Sequence, residues 1–280
     1  PMVCHSERSE ESSRADMMPL AMPWILRCAQ YDRGRKMGRP ILAILLVAIA
    51  TCARGEEAPP LRVDVAYASS HVFRGVERAG DSAQAAVEFN RDRLRGGIWV
   101  NQPFDRGDAR EVNLNATYAW QATDGFTLEA SLAHTWFDEV PGGGVDRSFE
   151  TGLTATLAPA GGFTPSFAYY HDFHFQADTM QTSLARSIAL TNLGAFLEVN
   201  VFAGWVSGND WRPDAPGTRR HDSYGYWGGA VHLPYRVGAH TTVVAGLHYA
   251  DSFGRSATNG PFGRASSGNL WVTFGVTFDF

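Results

Sequence analysis

From Leu61 to Phe280 the chain alternates, an apolar side chain followed by a polar or small one, in run after run. That two-residue period belongs to extended strands with two different faces, and it leaves a chain built of little else very few folds. The final run is the clearest. Leu270, Val272, Phe274, Val276, Phe278 and Phe280 share one face, while Trp271, Thr273, Gly275, Thr277 and Asp279 share the other. Val112, Leu114, Ala116, Tyr118 and Trp120 repeat the pattern against Asn113, Asn115, Thr117, Ala119 and Gln121. Twelve such segments can be marked, near 61–74, 83–90, 94–102, 112–121, 126–133, 148–157, 164–175, 179–190, 196–205, 223–233, 239–250 and 270–280. No amphipathic helical period interrupts them, which argues against a βαβ architecture.

The connections sort by parity. Those after even-numbered segments are short: Arg91–Arg93, Ala122–Gly125, Ala158–Gly162, Asn192–Gly194 and Pro234–Ala239. Most of those after odd-numbered segments are longer, notably Asp138–Asp146, Ser207–Asp222 and Asp251–Ser267. The gap after the seventh segment, about Gln176–Asp178, is the exception. Short turns at one rim, long loops at the other and an even strand count describe a transmembrane up-and-down antiparallel β-barrel of about 12 strands.

Alternation by itself does not say which face is inside, since a soluble sandwich also alternates. Three features favour a membrane barrel, whose lumen is polar and whose outside is apolar. Aromatic residues stand near segment ends (Tyr67, Phe73, Trp120, Trp136, Phe175, Trp205, Tyr249), where an interfacial girdle needs them. The opposite face carries Asp64, Arg74, Glu88, Arg95, Glu129, Glu150, Asp172 and Glu198 among small and hydroxyl residues, and these eight are the expected lumen-lining groups. The chain also ends on an aromatic, Phe280, the kind of terminal strand that a barrel-assembly machinery would engage. A mean hydropathy of -0.20 and a charged fraction of 19% exclude a bundle of apolar helices but not a barrel.

The first 55 residues read differently. Ile41–Ala50 is a short apolar run preceded by Arg33, Arg35, Lys36 and Arg39, and followed by Ala53, Arg54 and Gly55. It is too short to span a bilayer, which takes about 20 residues, and it fits a secretory signal over 37–55. Residues 1–36 carry no periodicity and are read as an unstructured or misassigned upstream segment; 56–280 is the barrel, placed in the bacterial outer membrane. All three cysteines (Cys4, Cys28, Cys52) lie in the leader, so the barrel has neither a disulfide framework nor a thiolate metal site. From Glu56 onward carboxylates outnumber arginines, which argues against a nucleic-acid partner.

One stretch carries a family likeness. Ser69-Ser70-His71-Val72-Phe73-Arg74-Gly75-Val76 resembles the opening strand of the TorF-type porins, a proteobacterial family, in Phe73, Arg74, Gly75 and Val76. Gly97-Ile98-Trp99-Val100-Asn101 is similar to that family's Gly-x-Trp-x-Asn. Ser70 and His71 depart from the pattern, which has an acid and a tyrosine there. The resemblance implies a porin-like barrel of poorly defined substrate, and it brings no catalytic residues. On physical grounds, Gly75 suits a turn with positive φ. Arg74 is expected to pair with a luminal carboxylate such as Glu88 or Glu129, either as a charge at the pore mouth or as a tie within the wall.

Ser69, His71 and His134 lie at one level near the outer rim, as a lipid hydrolase would need, but two residues on one strand are not thereby within hydrogen-bond reach and no acid is evident there. His171 and His174 fall on opposite strand faces and cannot share a metal. His232 and His248 form a weak luminal pair. The loop from Asp210 to Asp222, with Trp211, Arg219, Arg220 and His221, either folds inward as a constriction or faces the medium. The expectation is therefore a non-enzymatic, cofactor-free channel for passive diffusion of small hydrophilic solutes, mildly cation-preferring and surrounded by outer-membrane lipid. An outer-membrane lipid hydrolase or deacylase and a non-conducting scaffold or adhesin are the alternatives.

Overall fold

The structure is a computed structural model that describes residues 61–138, 147–174, 176–209, 221–254, 264–265 and 268–280. The expected signal segment and the tract before it lie outside the described residues, as do Phe175 and the greater part of the 210–222 loop. Fifteen strands follow in chain order: β1 (Leu61–Ala68), β2 (His71–Phe73), β3 (Val76–Ala79), β4 (Ser82–Arg91), β5 (Leu94–Pro103), β6 (Arg110–Thr123), β7 (Phe126–Asp138), β8 (Arg147–Leu157), β9 (Thr164–Asp172), β10 (Ala177–Leu190), β11 (Ala195–Asn209), β12 (His221–Gly238), β13 (Thr241–Phe253), β14 (Arg264–Ala265) and β15 (Asn269–Asp279). Twelve of them, β1, β4 to β13 and β15, form one closed antiparallel barrel in which each strand pairs with the next.

Closure joins the two ends of the described chain. β1 pairs with β15 from Arg62↔Asp279 to Ala68↔Thr273. The Leu61 N–H donates to the Phe280 carbonyl at 3.2 Å, and the Phe280 N–H returns to Leu61 at 2.8 Å. No wall strand is left with an open edge, which a span through hydrocarbon demands because no water is there to satisfy free amides.

The alternation now has a direction. Val65, Leu114, Leu132, Leu153, Phe167, Val201, Leu247 and Phe274 all stand exposed on the outer wall. Tyr118, Trp120, Phe163, Tyr235 and Phe278 ring the short-turn rim, and Tyr67, Phe149, Trp205, Trp227 and Phe253 ring the long-loop rim, all of them exposed. The buried side chains are mostly polar, among them Gln84, Asn101, Glu111, Asn113, Thr135, Glu150 and Thr179. An apolar outside between two aromatic girdles, around a polar inside, is stable only with hydrocarbon against it. This is an outer-membrane β-barrel.

The first segment departs from expectation. It does not run as one strand to Arg74; the wall strand stops at Ala68, and β2 and β3 form a separate hairpin. Its two-residue loop is Arg74-Gly75, with Phe73 opposite Val76. Both loop residues have positive φ, 47° and 77°, as a type I′ turn requires. β14, from the last long connection, adds a third strand through Arg264↔Glu77 and Ala265↔Val76.

Candidate functional site

The small sheet does not project from the rim. It folds back into the mouth of the barrel, as its contacts show. At its base, His71 Nε2 meets Glu111 of β6 at 3.3 Å, with its ring against Trp99 of β5. Arg78 lies 3.9 Å from the same Glu111 carboxylate and stacks on Phe73 at 4.2 Å. At its tip, Arg74 reaches Glu150 of β8 at 3.2 Å, while its guanidinium lies 5.1 Å from the Tyr170 ring of β9. Gly75 abuts the opposite wall: a Cβ there would stand 2.7 Å from the Asp251 carbonyl oxygen and 2.8 Å from Tyr226 Cβ. Val76 packs on the cluster of Val206, Tyr224 and Tyr226. The hairpin therefore crosses the lumen from β5 and β6 to β12 and β13.

Glycines on the inner wall make room for the rings that receive it. A Cβ on Gly204 would stand 2.4 Å from the Tyr226 hydroxyl, and one on Gly152 2.5 Å from the Tyr170 ring. Those two rings lie flat against the wall for that reason. The Tyr226 hydroxyl donates to Gln181 Oε1 at 2.8 Å.

Beneath the hairpin lies a cavity of about 450 Å³. One side of it is an arc of hydroxyls that includes Thr117, Ser131, Thr154, Ser166 and Ser183; the other carries Glu198, His232, His248 and Trp271. The His232 and His248 rings are 4.9 Å apart, and His248 stacks on Trp271 at 4.9 Å. Glycine again allows the convergence, since a Cβ on Gly246 would fall 2.7 Å from His248 Nε2 and 2.8 Å from His232 Cδ2.

The eight residues singled out in the sequence divide into two tiers. At the mouth, Glu150 holds Arg74, and Asp172 accepts hydrogen bonds from the Ser148 hydroxyl and, at 2.8 Å, from the His174 N–H. Nearer the short-turn rim, Arg95 pairs with Glu129 at 3.0 Å and lies 3.9 Å from Glu88. Asp64 accepts from the Thr277 hydroxyl, and the neighbouring Arg62 donates to Asp279 at 3.0 Å. Glu198 faces the cavity opposite His232, and no ion pair or hydrogen bond engages its carboxylate among the described residues. Arg74 differs from expectation. It stands at a hairpin tip rather than on the wall, and its partner is Glu150, not Glu88 or Glu129, because the hairpin carries it across the lumen.

Phe73 is likewise corrected: it is buried within the hairpin instead of joining the girdle. Glu111 and Arg78, the inner tier at the mouth, escaped the sequence reading, which placed their partner His71 with Ser69 near the outer rim. Gly75 between two short runs was the one available signal, and it was weak, because the residue before it is arginine and not the Asn, Asp or Gly that usually opens a two-residue hairpin turn.

Ser69 and His71 do not form a nucleophile and base. Ser69 Oγ accepts from the Val272 N–H of β15 at 3.0 Å, whereas His71 turns inward to Glu111. His134 lies on the outer face, stacked on Trp136 at 4.1 Å. His171 also faces outward and meets Asp178 at 2.9 Å. Among the described residues, no cluster of three or more His, Cys, Asp or Glu could hold a metal.

No family model matches this sequence, and no curated protein matches it either. Similarity appears in the fold. The NanC porin superposes with a TM-score of 0.51 at 11% identity, over 79% of this chain and 100% of that one. An outer-membrane channel from Pseudomonas putida F1 superposes with a TM-score of 0.52 at 10% identity, over 81% of this chain and 97% of that one. At such identities the likeness is one of architecture: the chain has the closed antiparallel barrel fold seen in outer-membrane porins and channels.

Proposed function

We propose that the barrel is a non-enzymatic channel for passive diffusion of small hydrophilic solutes, mildly preferring cations. The observation that carries this reading is the polar cavity under the hairpin, in which Glu198 is the carboxylate that no arginine engages in an ion pair among the described residues. Glu129, the other carboxylate lining the cavity, is compensated by Arg95. A fixed negative charge beside a narrow aqueous path raises the local concentration of cations and lowers that of anions. The stretch Phe73-Arg74-Gly75-Val76 and its likeness to TorF-type porins support the same class, with the family itself part of the proposal.

Planar-bilayer recording under a KCl gradient tests it. The expected result is a steady conductance with a reversal potential on the cation side, moved toward zero in Glu198→Gln. Anion preference in the unmodified chain would overturn the cation assignment. Absence of conductance would overturn the channel. Turnover of phospholipid or lipid A by the purified chain would replace it with an enzyme.

A further inference from the structure

One charged side chain stands where hydrocarbon is expected. β10 pairs with β9 and with β11 without a register shift, so no bulge turns Arg186 inward. It shares the outer face with Met180, Thr182, Leu184 and Ile188. Its height follows from the pairing: β9 begins at Thr164 opposite Ala185, and Arg186 is the first β10 residue beyond that end. That places it level with the turn between β8 and β9, on the short-turn rim, which stands at headgroup depth on the periplasmic side in barrels of this type.

The surroundings of the guanidinium are shaped for it. Ala160 and Phe163 bond each other across Gly161-Gly162 at 2.8 and 3.1 Å. Both glycines have positive φ, 61° and 80°, and they form a two-residue turn that fixes the Phe163 ring on the outer wall. Arg186 Cζ lies 4.8 Å from the centroid of that ring. The Cβ that Gly162 lacks would sit 3.6 Å from Arg186 Nε, so the guanidinium rests directly on the turn. From Leu157 to Phe163 the sequence has no acid, and Arg186 takes part in no ion pair among the described residues. A guanidinium held in that position has donors to spare and an apolar apron around it, made of Phe163, Phe167, Leu184 and Ile188, all exposed. The anion a bilayer supplies at this depth is a lipid phosphate, and an arginine fork matches it in shape and charge.

We propose that Arg186, the Phe163 ring and the Gly161-Gly162 turn form a binding site for the phosphodiester of one glycerophospholipid in the periplasmic leaflet, with its acyl chains against Phe167, Leu184 and Ile188. The site is on the outer wall and independent of what passes through the lumen.

Native mass spectrometry of the full barrel, released from detergent after incubation with phosphatidylglycerol, reads it directly. One lipid is expected to stay bound at low occupancy ratios, and Arg186→Gln is expected to reduce its retention about tenfold, the size of one charge-assisted contact. Arg186→Lys keeps the charge without the fork and is expected to fall between the two. Arg110→Gln, at the opposite rim, is expected to leave retention unchanged. Heat-modifiable migration in gels verifies that each variant has folded. Equal retention by Arg186→Gln, equal retention of diacylglycerol, which lacks the phosphate, or displacement of the lipid by inorganic phosphate at matched concentration would each overturn the assignment.

Discussion

Arg74 occupies a left-handed backbone conformation, φ 47°, which costs a non-glycine residue roughly 1 kcal/mol. The Glu150 carboxylate and the Phe73 and Tyr170 rings hold it there. Glu150 is only 1% exposed, so losing the Arg74 guanidinium weakens the compensation of a buried carboxylate. Arg74→Gln is expected to weaken hairpin docking by about 3 kcal/mol, and Arg74→Gln with Glu150→Gln to recover part of that loss. Labelling of Ala79→Cys by a membrane-impermeant maleimide measures both, since Ala79 is buried while the hairpin is docked. Gly75→Ala removes no charge, yet it is expected to raise the labelling rate as strongly, because its Cβ would lie 2.7 Å from the Asp251 carbonyl oxygen. A labelling rate unchanged by Gly75→Ala would mean that the tip is not seated against β13. The sequence marked both residues as a turn and a charge, but not Arg74's partner. Glu150 is far along the chain, and only the inward fold brings it close.

At the scale of elements, the wall strands and the hairpin differ in how legible they are. Segments such as Leu270–Phe280 declare themselves because hydrocarbon on one side and water on the other impose a strict two-residue period. The hairpin is packed between the barrel walls and lies over the cavity, with no lipid face. Its apolar Phe73 and Val76 and its polar His71, Glu77 and Arg78 are all buried or half-buried, so its pattern carries no face to read, and it merged with the preceding strand. The short-turn connections were read in their places, but the last of them, Pro234–Ala239, is tighter than expected, since β12 continues to Gly238 and pairs with β13 throughout. Removal of 70–80 in favour of a short Gly-Ser bridge is expected to leave the barrel folded, since β1 pairs with β4 and β15 without the hairpin. Single-channel conductance is expected to rise several-fold in that variant, as the mouth loses the element lying across it. A conductance equal to that of the unmodified protein would show that the hairpin does not lie on the permeation path.

For the whole molecule, an exposed apolar wall means that the folded chain needs an amphiphile around it. The expected outcome of fractionation is recovery in membranes and extraction only with detergent; a freely soluble monomer would contradict the exposure of residues such as Leu132 and Phe274. The closing seam has a temporal corollary. β1 and β15 are adjacent in space and more than 200 positions apart in sequence, as in the pair Arg62↔Asp279. Until the last strand has been delivered, β1 and β13 each present a row of unmatched amides that the bilayer interior cannot accept. A chain cut before Asn269 would thus be stranded as a curved, sticky ribbon. Productive insertion has to be a late and concerted event, in which the first strand to be made is among the last to be satisfied.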